Sequence, residues 1–102
     1  MATLHIDARR IVDSASFHQT LAEACRFPKT YGKNLDALVD CLGDLKSTTG
    51  QITTLAVDHI DDLITKHLDL YLALVEAVAF VNWRRLAKGE PPLLTLAWAK
   101  VG

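Results

Sequence analysis

Apolar and polar residues alternate over "TLHID", Thr3–Asp7, with Leu4 and Ile6 on one face. This two-residue period predicts a short strand. The period then lengthens. Phe17, Leu21, Ala24 and Cys25 recur at helical spacing, and Ser14 and Ser16 supply oxygens suited to a helix start. Ser16 with Gln19 has the spacing of a capping box. The helix should stop before Pro28, because proline disfavours helical geometry in the residue before it. "PKTYGKN", residues 28–34, reads as a loop in which Gly32 is free to take a positive φ. Asn34 is a good N-cap for a second helix running to about Gly43.

"STTGQ", residues 47–51, reads as a turn, and the β-branched "ITTLAV", residues 52–57, as a second strand. "DHIDDLITKH", residues 58–67, suits a short helix capped by Asp58, with acids in its first turn. A long helix should follow from about Asp69 to Lys88. It is nearly apolar for three turns, which predicts burial on most sides, against the sheet and another helix. Gly89 and the pair Pro91–Pro92 end it. "LLTLAWA", residues 93–99, is a continuous apolar run, as expected of a strand covered on both faces. The order β, two helices, β, two helices, β argues for a small parallel sheet with helical crossovers.

Composition fits this picture. Half of the 102 residues are apolar, enough for a real core in a chain too short for two domains, so one domain over 1–102 is expected. The start "MATLHIDARR" turns charged too early for a secretory signal. The most apolar run, Leu70–Val81, contains Glu76 and is too short for a membrane span. A cytoplasmic protein is the expectation. It should be monomeric, with weak self-association through the apolar long helix as an alternative to core packing.

The formal net charge of −1 hides an uneven distribution. Residues 1–33 carry five basic and three acidic groups, residues 34–69 two and seven, and residues 70–102 four and two. The acidic middle third is a local field able to steer a basic partner.

Candidate chemistry is sparse. Cys25 and Cys41 lack the spacing of a zinc knuckle or redox pair and read as reduced buried thiols among leucines, with a disulfide between them as the alternative. His5, His18, His59 and His67 show no i+3 or i+4 pairing for a metal. There is no GxSxG elbow and no glycine-rich phosphate loop after the first strand. Trp83, Arg84, Arg85 and Lys88 form a small basic patch with two readings: an RNA contact, or cations favoured by a helix's negative end. The neighbouring acidic third would repel phosphate.

The most informative stretch is "YGKNLDALVDCLGDL", Tyr31–Leu45. Asp36, Asp40 and Asp44 follow one another at steps of four, about one helical turn, so they line one side of a short helix. Leu35, Leu38 and Leu42 take the other side. Like charges at this spacing repel by a few tenths of a kcal/mol per pair. Either solvent absorbs that cost, or a basic surface meets the row. Val39 and Leu45 border the acids with apolar area, the make-up of a recognition edge for a basic cleft.

Phe17-His-Gln-Thr-Leu21, Phe27-Pro28 and "TYGKNLDALVDCL" from Thr30 to Leu42 resemble the barstar family, intracellular protein inhibitors of a bacterial ribonuclease. The resemblance is close over the first half of the chain and follows element order in the second. It implies an α/β fold, a three-stranded parallel sheet packed by about four helices. It also implies an inhibitor that is not an enzyme, takes no cofactor or metal, and binds neither nucleic acid nor membrane. Its partner would be a basic, extracellular or toxin-type ribonuclease.

Carried over by position, Asp40 would be the central carboxylate, sitting where a substrate phosphate sits and accepting hydrogen bonds from the nuclease. Carboxylate and guanidinium are planar and bond as a fork. Asp36 would be the second anionic contact, and Asn34 would position the helix start. Thr30, Tyr31, Leu35, Val39, Gly43, Asp44 and Leu45 would complete the contact surface. Three positions depart from the family pattern: Thr30, Val39 and Leu45 stand where aromatics are found. A further acidic contact falls on Arg84 or Arg85, reversing its charge. These departures imply a relative tuned to a different partner. They also motivate an alternative, a barstar-like adaptor or immunity protein for a basic protein that is not a ribonuclease.

Overall fold

The computed structural model describes residues 2–45 and 53–99. Three strands, β1 (Ala2–Asp7), β2 (Thr53–Asp58) and β3 (Leu94–Ala99), form one parallel sheet in the order β1-β2-β3. The register aligns Leu4, Leu55 and Leu96 across all three strands. Among the described residues four helices accompany them: α1 (Ser14–Cys25), α2 (Leu35–Gly43), α3 (Ile60–Lys66) and α4 (Leu68–Ala87). A short 3₁₀ turn, Ala8–Arg10, follows β1. The expected three-stranded parallel sheet with four helices is the observed architecture. The turn expected at 47–51 and the first residue of the strand expected at 52–57 lie outside the described residues.

β2 is central and the most enclosed, with Thr53, Leu55, Ala56 and Val57 all buried. The edge strand β1 buries Ile6 while Thr3 and His5 face outward, which is the alternation read from the sequence. The core gathers Ile6, Phe17, Leu21, Leu38, Leu42, Leu55, Leu63 and Leu74. α1 packs on β1, and α4 packs on β3, α3 and α2. The main neighbour of α2 is therefore a helix, not the sheet.

Several expectations are corrected. The N-cap of α1 is Asp13, not Ser14 or Ser16. Its carboxylate accepts from Ser16 N–H at 2.8 Å while Ser16 Oγ accepts from Asp13 N–H at 3.0 Å, so the capping box is Asp13–Ser16 rather than Ser16–Gln19. Asp58 does not cap α3. It closes β2, with its carboxylate 3.5 Å from His5 Nδ1, and the cap residue is His59, in the left-handed region at φ 59°. In the 28–34 loop the left-handed residue is Lys33, at φ 54°, not Gly32. A Cβ at Gly32 would make only ordinary contacts, 3.4 Å to Asn34 Nδ2 and 3.5 Å to Ala37 Cβ.

Leu35 does not share the buried side of Leu38 and Leu42 but is half exposed. β3 is not covered on both faces, because Thr95 and Trp98 are exposed. The long helix is not buried on most sides either. Leu74, Ala77, Val78 and Val81 turn inward, whereas Leu68, Leu72, Phe80, Trp83 and Leu86 are exposed. A low-contrast apolar helix gives no sign in its sequence of which side the sheet will take.

Candidate functional site

The acidic helix is held at its start by two devices. Asn34 Oδ1 accepts from Ala37 N–H at 2.8 Å, satisfying one of the unpaired donors of the first turn. The preceding loop is pinned by Tyr31, whose N–H donates to Pro28 O at 3.0 Å. The Tyr31 side chain is buried, tilted against Phe27 at 4.9 Å, and its hydroxyl hydrogen-bonds His18 Nδ1 at 2.6 Å. Burial pushes the Tyr31 hydroxyl up to about 12 and holds the His18 imidazole below its ordinary value, so both rings are neutral partners at neutral pH. Tyr31 was expected among the contact residues. The structure places it beneath the loop, where it fixes the path of the chain into α2.

Asp36 and Asp40 lie on α2 and are exposed. Asp44 follows the last helical residue as the C-cap, its N–H donating to Asp40 O and Cys41 O at 3.2 Å each. A carboxylate suits the first turn of a helix and opposes the field at its last turn. Asp36 is thus supported by the helix, whereas Asp44 sits at its negative end.

The compensation comes from α4. Val39, Asp40, Gly43 and Asp44 form one wall of a cleft of about 430 Å³, and Arg84, Arg85 and Lys88 stand on the other. Arg84 Nη1 is 3.9 Å from Asp40 Oδ1, and its guanidinium carbon lies 5.7 Å from the Phe80 ring centre. Asp40 retains 74% of its side-chain exposure in this pair. Such a contact is weak and salt-sensitive, and it leaves the carboxylate open to a stronger partner. Leu35, Asp36 and Val39 border a second hollow along the same seam, opposite Glu76 and Phe80. Leu45 and Asp44 border a third, about 530 Å³, beside Cys25 and Cys41. Both cysteines are free thiols, and burial pushes Cys25 up to about 12, so it is unreactive at neutral pH.

The structure therefore joins Val39, Asp40, Gly43 and Asp44 in one cleft, and Leu35, Asp36 and Val39 in the next. It does not bring Thr30, which is exposed on the loop, into any of these hollows. The cationic wall on α4 was visible in the sequence only as a basic patch. Nothing in the spacing says that residues 84–88 face residues 39–44. Among the described residues no group of His, Cys, Asp and Glu side chains could hold a metal ion, and no helix is long and apolar enough to cross a membrane.

A family model described as Barstar (barnase inhibitor) matches residues 1–97. The chain belongs to the barstar family. Inhibitors of the barstar family are non-enzymatic. No curated protein matches the chain. The barstar family match covers both α2 and α4, so both walls of the 430 Å³ cleft lie within it.

Proposed function

We propose that this protein is a cytoplasmic, immunity-type inhibitor of a small basic ribonuclease, folded as one domain over residues 1–102. It would plug the nuclease active site with the edge formed by the 28–34 loop and α2. Family membership supplies the class of partner, a barnase-type ribonuclease. The single observation that carries the reading is the exposed Asp36–Asp40 pair on a helix fixed at its start by Asn34 and Tyr31.

In this reading Asp40 takes the place of a substrate phosphate. Its two oxygens accept fork-like bonds from a guanidinium, and the capped helix fixes the backbone that presents them. Asp36 supplies the second negative contact. Thr30, Leu35, Val39, Gly43, Asp44 and Leu45 surround the pair. No cofactor or metal takes part.

A second reading keeps the surface and changes the target to a basic protein that is not a ribonuclease. Thr30, Val39 and Leu45, standing in place of aromatics, favour it, since large aromatics are frequent energetic anchors. Titration of RNA cleavage by a purified barnase-type ribonuclease separates the two. Stoichiometric loss of cleavage, relieved by excess mononucleotide, supports the plug. A complex that leaves cleavage intact transfers the site to the second reading.

A further inference from the structure

The two hollows along the seam of α2 and α4 differ in charge. The 430 Å³ cleft sets Asp40, Asp44 and Glu90 against Arg84, Arg85 and Lys88, so acids and cations balance among the described residues. Its neighbour, about 200 Å³, has Asp36 on one wall and Glu76 on the other, and no cation lines it among the described residues. Neither carboxylate has an ion pair or side-chain hydrogen bond among those residues. Asp36 has the start of α2 beside it, but Glu76 sits in mid-helix, and positions 72, 73, 79 and 80 offer it no cation one turn away. Arg84 lies against Phe80 yet reaches toward Asp40 and does not line this hollow.

The rest of the hollow is apolar. Val39, Ala73 and Ala77 are buried or half-buried, while Leu35 and Phe80 remain 49% and 47% exposed on facing helices. Two alanines one turn apart leave open a space that larger side chains would close.

Size and charge together select the occupant. The volume falls below the roughly 300–1,000 Å³ of small-molecule pockets and suits a single side chain. An apolar side chain would take two carboxylates out of water without a partner, which is costly. A lysine or arginine avoids that cost, because its stem lies on apolar surface while its charged head stays at the polar rim.

We propose that this hollow receives one basic side chain of the inhibited nuclease, its stem on Ala73 and Ala77 and its cation between Asp36 and Glu76. The inference rests on the plug reading and extends the contact edge from α2 onto α4, where Glu76 and Phe80 become contact residues.

Association and dissociation rates with a purified barnase-type ribonuclease test it. Glu76→Gln should weaken binding at least about tenfold, chiefly through faster dissociation. Ala73→Leu fills the hollow without changing the charge and should weaken binding likewise. Asp69→Asn removes an exposed acid of the same helix outside the hollow, and should change only the association rate, by less than about twofold. Circular dichroism verifies that each variant is folded. Folded Glu76→Gln and Ala73→Leu proteins that bind like Asp69→Asn, while Asp40→Ala still loses the complex, overturn the hollow and leave the plug standing. Full binding by Asp40→Ala removes the plug reading and the hollow with it.

Discussion

Asp40 and Arg84 show how one side chain sets the availability of another. The pair is long at 3.9 Å and both groups are well exposed, so it contributes at most about 1 kcal/mol to stability. Its effect on a basic partner is larger in kind. Arg84 would repel such a partner and partly neutralise the carboxylate proposed to meet it. Arg84→Ala should therefore raise the association rate with a basic ribonuclease at low salt, and the gain should shrink as ionic strength rises. Stopped-flow association across a salt series measures this directly.

His18 provides a second prediction. Burial depresses its folded-state value, so the folded protein binds fewer protons than the unfolded chain. The stability held by neutral His18 is thus complete above about pH 6.5, the unfolded value. It is lost as pH falls from there through the lower folded value. Urea unfolding at stepped pH should show the midpoint falling through this window. His18→Gln should flatten that segment of the curve.

At the scale of elements, much of the fold was legible because the devices are local. β1 follows from alternation, Asn34 from cap chemistry, and the end of α1 from Pro28. The bond from Asn34 to Ala37 is close to ideal, so Asn34→Ala should cost about 1 kcal/mol by chemical denaturation. It should also loosen the presentation of Asp36 and Asp40, and slow nuclease binding beyond what that loss of stability explains.

What was not legible depended on partners remote in sequence. Ser16 was visible as a capping residue, but it serves as the third helical position under Asp13, because the chain enters α1 from the 3₁₀ turn. Asp58 looked like a cap until the sheet register placed it at the end of a strand beside Asp7. Asn82 gave no signal at all. Its amide nonetheless clamps the start of β3, accepting from Leu93 and Leu94 N–H and donating to Leu94 O at 2.9–3.0 Å.

On the scale of the whole molecule, the uneven charge distribution acquires a geometry. The acidic middle of the sequence contributes α2, and the basic end of α4 is folded back against it. The three aspartates that looked equivalent in the sequence are distinct in space. Asp36 is favoured by the helix start, Asp40 faces Arg84, and Asp44 caps the far end within reach of the cationic wall. Asp40 stands at the middle of the edge with one oxygen 3.9 Å from a guanidinium nitrogen. That contact sketches the interaction the target would make with better geometry.

The measurement closest to the central claim is therefore the dissociation constant for a small basic barnase-type ribonuclease, taken side by side for wild type and Asp40→Ala. The proposed reading predicts a loss of at least about 2–5 kcal/mol with the variant still folded, the range general for truncating one member of a buried interfacial charge pair rather than a value obtained from this chain. An Asp40→Ala protein that binds and inhibits as tightly as wild type would contradict it.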